Sequence, residues 1–279
     1  MQALEDLEIG AVFWADRDHL AAIKALGVRC GQLAIPGSLE LTPAVVKDWK
    51  AALDQEQFTL VTVFAAYNGE SYADIPTVER TVGFIPHASR EERERRTLAV
   101  SDFAAQLGVP SIACHVGFVP EDTSHPDYIG VRDLVRRLCD HAAAHKQTFA
   151  LETGQEPAHV LLAFLNDVAR PNIGINFDPA NMILYGTGDP IEALDVLGSR
   201  VISVHAKDGD WPPPNSPGAL GHEVPLGQGA VGMQRFLEKL RQVGFRGPLN
   251  IERETEDLDQ RLIDMEMGIQ LLERLTGRS

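Results

Sequence analysis

Four side chains of types that commonly bind metal ions stand at or near the ends of four separate apolar stretches of this sequence. They are Glu152, Asp178, His205 and Glu252. Three carboxylates and one imidazole form an oxygen-rich ligand set that suits Mn²⁺, Mg²⁺, Co²⁺ or Zn²⁺. In barrels of alternating strands and helices, the strand ends are also where catalytic groups gather. The pattern predicts a metalloenzyme.

Each of the four residues also has a simpler structural interpretation. Glu152 could be a salt-bridge partner, and Glu252 could pair with the adjacent Arg253. Asp178 precedes Pro179 and could cap a helix or form an Asx turn. His205 lies in a buried run, where a neutral imidazole needs a hydrogen-bond partner or a metal. Four such signals in succession are less expected by chance than any one of them.

The elements that must position these residues follow from the hydrophobic pattern. Short runs rich in Val, Ile and Phe alternate with stretches of helical period. Strands are predicted at 8–14, 30–35, 59–66, 111–117, 149–153, 173–178, 201–206 and 248–253. Helices are predicted at 17–26, 43–56, 91–108, 127–147, 157–169, 189–197, 231–243 and 258–275.

This strict alternation requires parallel strands joined by crossover helices, and eight units close a barrel. The predicted fold is therefore α/β, a (β/α)8 TIM barrel, with residues 1–279 as a single domain. A doubly wound open sheet is the rival architecture. It usually carries a GxGxxG turn after its first strand, and this sequence has none there.

Two long loops interrupt the alternation, at 67–90 and 207–230. Both follow predicted strands and lie on the face where strand C-termini emerge, so each could cover a substrate. The alternative is a solvated loop without a function.

Composition restricts the class of protein. The 279 residues carry a formal net charge of −15, which argues against a nucleic-acid binder because phosphate contacts need clustered Lys and Arg. The three cysteines are far apart, without a disulfide pattern, and no apolar run reaches the roughly 20 residues of a membrane helix. The first residues lack the features of a signal peptide. We expect a cytoplasmic protein that binds neither membranes nor nucleic acids.

Two further polar residues stand beside the predicted strand ends. His115 could orient a substrate hydroxyl, support a neighbouring ligand, or be purely structural. Lys207 could neutralise an alkoxide or simply pair with Asp208.

At these positions the sequence resembles the xylose isomerase-like TIM barrel superfamily. The resemblance covers nearly the whole chain. Its most specific motifs are Leu151-Glu152-Thr153-Gly154, Phe177-Asp178-Pro179-Ala180-Asn181, Val204-His205-Ala206-Lys207-Asp208, Leu226-Gly227-Gln228-Gly229 and Ile251-Glu252. The superfamily includes ketose 3-epimerases, hydroxypyruvate isomerase, inosose dehydratase and, more distantly, an apurinic-site endonuclease.

The resemblance implies that Glu152, Asp178, His205 and Glu252 bind one divalent ion, with Mn²⁺ expected and Mg²⁺, Co²⁺ or Zn²⁺ compatible. It also implies that Glu152 and Glu252 move substrate protons. The expected reaction is isomerisation or epimerisation of a sugar or keto-polyol through an enediolate. His115, Asn181 and Lys207 would position its hydroxyls, and a homo-oligomer is compatible with the sequence.

One departure from the family pattern affects the substrate. Many of the epimerases have a substrate-contacting His three positions after the metal-binding Asp, where this chain has Asn181. Asn can hydrogen-bond a hydroxyl but does not titrate. Three other functions stay open: a lyase of the inosose dehydratase kind, a zinc-dependent phosphodiesterase, which the charge opposes, and a non-catalytic sugar-binding barrel.

Overall fold

Eight parallel strands close into a barrel in the computed structural model, which describes residues 7–278. The strands are β1 (Ile9–Trp14), β2 (Cys30–Ile35), β3 (Thr59–Ala65), β4 (Ser111–Cys114), β5 (Thr148–Glu152), β6 (Ile173–Phe177), β7 (Val201–Ala206) and β10 (Leu249–Ile251). They are adjacent in the order β1-β10-β7-β6-β5-β4-β3-β2, and the pairing of β1 with β10 closes the ring. The predicted TIM barrel is confirmed for these residues. Residues 1–6 and 279 lie outside the described residues, and so does the N-terminal segment on which the prediction about a signal peptide rests.

Helices surround the barrel and connect successive strands. They are α1 (Arg17–Ala25), α2 (Pro43–Glu56), α3 (Ile75–Thr81), α4 (His87–Gln106), α5 (Pro126–Ala144), α6 (Ala158–Val168), α7 (Pro179–Tyr185), α8 (Pro190–Leu197), α9 (Met233–Gln242) and α10 (Leu258–Thr276). Several begin at a proline, among them α2 at Pro43 and α8 at Pro190. Thr42 caps α2 and Asp189 caps α8, each with a side-chain oxygen that accepts a backbone N–H of the first turn.

The strict alternation predicted from the sequence is wrong at two points. Helix α3 lies inside the long connection after β3, and α7 precedes α8 in the connection after β6. Both helices have seven residues, so their apolar pattern is too short to separate from loop sequence. The loop after β7 also contains an antiparallel hairpin of β8 (Asp208–Asp210) and β9 (His222–Val224).

The core has an apolar layer between barrel and helices and a partly polar barrel interior. Phe103, Phe149 and Phe164 are among the largest fully buried side chains. Inside the barrel, the buried polar residues include Gln32, Asn176, Ser203 and Asn250. Polar groups buried at this depth require hydrogen-bond partners, which makes them candidates for positioning a site. No described helix is long and apolar enough to cross a membrane.

Candidate metal centre

The four residues singled out in the sequence converge at the carboxyl-terminal end of the barrel. Nδ1 of His205 lies 3.1 Å from Glu152 Oε1, 3.1 Å from Glu252 Oε2 and 3.6 Å from Asp178 Oδ2. One ligand atom from each residue lies within 4.8 Å of the others. Four different strand ends contribute them, because all strands of the barrel are parallel and finish on the same face.

The donor atoms in this cluster fit a divalent cation. Asp178 and His205 are almost fully buried, and Asp178 Oδ2 and His205 Nδ1 make no hydrogen bond of normal geometry, although Nδ1 lies 3.1 Å from carboxylate oxygens of Glu152 and Glu252. Buried polar atoms without partners are costly, and a cation among them would satisfy both. Three carboxylates and an imidazole are a ligand set that Mn²⁺, Mg²⁺, Co²⁺ and Zn²⁺ accept.

Hydrogen bonds inside the barrel hold the imidazole of His205 in place. Its Nε2 lies 3.1 Å from Gln32 Oε1 and 2.9 Å from Asn176 Nδ2. Asn176 Oδ1 in turn accepts from Gln32 Nε2 at 3.0 Å and from the hydroxyl of Ser203. Contacts to the far nitrogen orient a metal-binding histidine. The network therefore directs Nδ1 of His205 toward the carboxylates.

The two carboxylate oxygens of Asp178 have different surroundings, and one of them confirms the predicted helix cap. Oδ1 accepts the backbone N–H of Asn181 at 3.0 Å, so Asp178 is the N-cap of α7. Oδ2 faces the cluster and lies 3.7 Å from Lys207 Nζ. The cap fixes the side chain, and the second oxygen remains free for a ligand.

Lys207 is a buried cation beside the cluster. Its Nζ donates to Glu252 Oε2 at 3.0 Å and to Glu254 Oε2 at 2.8 Å. Burial alone would lower the pKa of Lys207, but Glu252 and Glu254 raise it well above its ordinary value. The alternative pairing of Lys207 with Asp208 does not occur, because Asp208 accepts backbone N–H groups instead.

The two glutamates of the cluster differ in proton affinity. Burial raises the pKa of Glu152, although His115 and His205 lie beside it. Burial would also raise the pKa of Glu252, but His205 and Lys207 outweigh it and hold that pKa well below its ordinary range.

His115 and Asn181 both lie next to Glu152. Asn181 Nδ2 donates to Glu152 Oε1 at 3.1 Å, and His115 Nε2 lies 3.5 Å from Glu152 Oε2. Gly154 permits this arrangement. Its φ is +148°, and a Cβ there would lie 2.8 Å from Cβ of Asn181. The structure thus brings all three predicted substrate-binding residues, His115, Asn181 and Lys207, to the cluster.

A cavity of about 450 Å³ leads from Glu152 and Glu252 toward solvent. Its wall is mostly apolar and includes Trp14, Phe64 and Met265. Tyr72, from the predicted loop 67–90, also lines it, and its ring lies 5.5 Å from that of His115. A concave, largely apolar space with a few polar groups at one end is the usual form of a small-molecule site.

Arg253, which the sequence suggested as a salt-bridge partner of Glu252, pairs with other residues in the structure. Arg253 Nε donates to Asp264 at 2.7 Å, and its Nη1 lies 3.1 Å from Glu223. Sequence reasoning missed Glu254, Gln32 and Asn176. The last two are polar residues within otherwise apolar strands, a signal that could have identified them. Glu254 stands in an acidic stretch and carries no comparable signal.

Known proteins resemble the chain at the level of sequence and of structure. A solved xylose isomerase domain protein from Planctomyces limnophilus is 44% identical, with a TM-score of 0.94 over 98% of both chains. A xylose isomerase-like TIM barrel protein from Mycobacterium smegmatis, solved in complex with magnesium, is 16% identical, with a TM-score of 0.71 over 99% of this chain and 98% of that one.

Among curated proteins, the L-ribulose 3-epimerase of Methylomonas sp. (strain DH-1) is 28% identical over 152 residues, which are 50% of this chain and 47% of that protein. The chain therefore spans less than half the length of the curated relatives that it matches. The model of the family described as xylose isomerase-like TIM barrel matches residues 20–275, nearly the whole length. The chain belongs to the xylose isomerase-like TIM barrel family.

Proposed function

We propose that the protein is a divalent-metal-dependent sugar isomerase or epimerase that moves a proton at a carbon next to a carbonyl. The observation that carries this proposal is the convergence of Glu152, Asp178, His205 and Glu252 at the end of a cavity. Two of the four donor atoms are buried and make no hydrogen bond of normal geometry, which supports a bound cation.

The four residues would hold one ion, for which we propose Mn²⁺, with Mg²⁺, Co²⁺ and Zn²⁺ also compatible with the ligands. Such an ion, when bound, withdraws electron density from a carbonyl oxygen and so makes the neighbouring C–H more acidic. Side chains of the protein would transfer the proton and position the substrate.

Glu152 and Glu252 are the groups we assign to proton transfer. Both line the cavity, and they extend from strands on different parts of the barrel wall. One carboxylate oxygen would take the proton from carbon, and the other glutamate, or the same one, would return a proton at carbon or oxygen. Return to the opposite face of the same carbon gives an epimer. Transfer to the neighbouring carbon gives an isomer.

His115, Asn181 and Lys207 would position the substrate by hydrogen bonds to its oxygens. The two arginines that line the cavity are already engaged, Arg253 with Glu223 and Asp264 and Arg261 with the carbonyl of Thr255. Because Arg253 is paired with two carboxylates, the cavity offers a phosphate one cation fewer, which supports an uncharged sugar or keto-polyol as the substrate.

The test is proton exchange in D₂O. Metal-loaded protein is incubated with a panel of ketoses and keto-polyols, and NMR follows loss of C–H signals next to the carbonyl. We expect metal-dependent exchange with at least one compound. Glu152→Gln and Glu252→Gln should each slow it by roughly 10²-fold or more, the usual contribution of a general acid or base.

Glu256→Gln is the matched control, because Glu256 is exposed on the segment that follows Glu252 and does not line the cavity. It should leave exchange unchanged. Unchanged exchange in both catalytic variants, with metal still bound, would contradict the assignment. An ultraviolet-absorbing unsaturated product would instead indicate the lyase, and ligand-induced stabilisation without exchange would indicate a sugar-binding protein.

A further inference from the structure

A second cluster of metal-binding side chains lies on the outside of the barrel, between α4 and α5. His141 is in the last turn of α5, His145 is its C-cap, and Asp102 belongs to α4. Nε2 of His141 lies 2.7 Å from Asp102 Oδ1, and Nε2 of His145 lies 2.9 Å from the same oxygen. The three ligand atoms lie within 4.8 Å of one another.

We propose that Asp102, His141 and His145 bind a transition-metal ion, with Zn²⁺ as the expected ion, and that this ion joins α4 to α5. The site is separate from the candidate metal centre in the barrel. It does not depend on the proposed enzymatic function.

The geometry of the helices supports this site. Residues four apart on a helix lie on one face, so both imidazoles point the same way, with ring centroids 5.1 Å apart. Two histidines at this spacing form a recurrent zinc-binding pair. Asp102 supplies the third ligand from the neighbouring helix. The side chains of Asp102, His141 and His145 are 51%, 32% and 35% exposed, so water can take a fourth position.

The surrounding charge also favours a cation. His141 and His145 lie at the C-terminal end of α5, and Asp102 lies near that of α4. Helix C-termini carry a partial negative charge that attracts cations. Among the described residues, the recorded ion pairs of Asp102 are only those with the two histidines, so no Lys or Arg competes for its carboxylate.

The ligand types predict a different metal preference from that of the centre in the barrel. Two imidazoles and one carboxylate suit Zn²⁺, Co²⁺, Ni²⁺ or Cu²⁺ better than Mg²⁺ or Mn²⁺. Three carboxylates and one imidazole are harder ligands and accept Mg²⁺ and Mn²⁺ readily. We therefore expect Zn²⁺ to bind at this site under conditions where Mg²⁺ does not.

The position in the fold indicates a structural role. The segments that follow α4 and α5 lead directly into the amino-terminal ends of β4 and β5. The cluster thus lies toward the face opposite the strand C-termini, and in TIM barrels that face contributes to stability instead of catalysis. An ion that bridges two long helices there would resist their separation.

The experiment measures Zn²⁺ bound per chain, by equilibrium dialysis and metal analysis of protein without an affinity tag. We expect His141→Ala and His145→Ala each to bind one Zn²⁺ fewer than the parent protein. His159→Ala is the matched control, because His159 is an exposed helical histidine outside the cluster, and it should bind as much Zn²⁺ as the parent. Circular dichroism in chelator establishes that each variant is folded.

Thermal unfolding provides the second measurement, in an Asp178→Asn background that weakens the centre in the barrel. Zn²⁺ should still raise the Tm in this background, and adding His141→Ala should remove most of that rise. Equal Zn²⁺ content in the parent and both histidine variants would overturn the proposal, as would a Tm rise that persists without His141. Neither result bears on the proton-exchange test of the proposed enzyme.

Discussion

At the scale of single residues, several buried side chains serve the fold and the candidate site together. Asp178 caps α7 with one oxygen and presents the other to the cluster. His205 is held by Gln32 and Asn176 through Nε2, which leaves Nδ1 beside Glu152 and Glu252. Because the structural hydrogen bonds use other atoms than those that face the cluster, the same side chain can serve both purposes.

Glu156, four positions after Glu152 in the sequence, is a buried acid for which the structure predicts a pH effect. It is 6% exposed, and its Oε1 accepts the backbone N–H of Val119 at 2.8 Å. Burial raises the pKa of Glu156 from 4.5 to about 7. The folded state therefore binds this proton more tightly than the unfolded state. The stability that the protonated form contributes is fully present below about pH 4.5 and is lost as the pH rises to about 7.

We expect Glu156→Gln to remove this pH dependence, because glutamine can still accept from Val119 but does not ionise. Relative to the parent, the variant should gain stability between pH 5 and pH 8, by at most about 3 kcal/mol, since each pKa unit corresponds to about 1.4 kcal/mol. Urea unfolding at both pH values measures the difference. Parallel pH profiles for the two proteins would contradict the interpretation.

At the scale of secondary-structure elements, Asp208 organises the long loop that follows β7. Its Oδ1 accepts the N–H of Gly209 at 3.0 Å and of Val231 at 3.1 Å, and its Oδ2 accepts that of Gly227 at 2.9 Å. One carboxylate thus ties the start of the β8–β9 hairpin to the end of the same loop. The loop 207–230, predicted from sequence as a possible cover, is tied together by these hydrogen bonds, and none of its residues lines the cavity.

Asp208→Ala should destabilise the protein by about 2–4 kcal/mol, because it leaves several backbone donors without an acceptor. Amide hydrogen exchange should accelerate at Gly227 and Val231 before it does in the barrel strands. Asp210→Ala is the control on the same strand, because the side chain of Asp210 is 45% exposed and, within residues 7–278, its one ion pair is with the exposed His222 at 3.4 Å. It should change stability by less than about 0.5 kcal/mol. Equal effects of the two changes would show that Asp208 does not organise the loop.

At the scale of the whole molecule, the candidate centre connects strands from distant parts of the chain. Glu152, Asp178, His205 and Glu252 are spread over 101 residues of sequence yet meet within 4.8 Å. An ion that binds the folded barrel and not the unfolded chain would stabilise the entire domain. The increase in the free energy of unfolding on adding the ion therefore measures binding at the site.

We expect Mn²⁺ at about 100 times its Kd to stabilise the chelator-treated protein by about 2.7 kcal/mol. For a domain of this size that corresponds to a Tm increase of roughly 5–10 °C. Calorimetry with and without Mn²⁺ measures it. Asp178→Asn keeps a side chain that can cap α7 but removes a charged ligand, so most of the Mn²⁺-dependent increase should disappear. An undiminished increase in this variant would place Mn²⁺ elsewhere.

The barrel and the members of the cluster could be predicted from the sequence because both depend on local pattern. Apolar runs and helical periods identify strands and helices, and parallel strands must end on one face. Residues at those ends therefore had to lie near one another. The short helices α3 and α7 were missed, since seven residues provide too little periodicity.

The contacts of each residue depended on the tertiary structure. Sequence adjacency suggested Arg253 for Glu252 and Asp208 for Lys207, whereas the folded chain pairs Arg253 with Asp264 and Lys207 with Glu252 and Glu254. Side chains of neighbouring residues in a strand point to opposite faces, so adjacent charges seldom meet.

Local pattern was thus sufficient for the fold, the family resemblance and the four converging residues. Partners, burial and proton affinities were not accessible, because they arise between elements far apart in the chain. Gln32 reaches His205 across 173 positions, and Asp102 reaches His145 across 43. Such contacts form only once the barrel closes and the helices pack around it, which is why only the folded structure could reveal them.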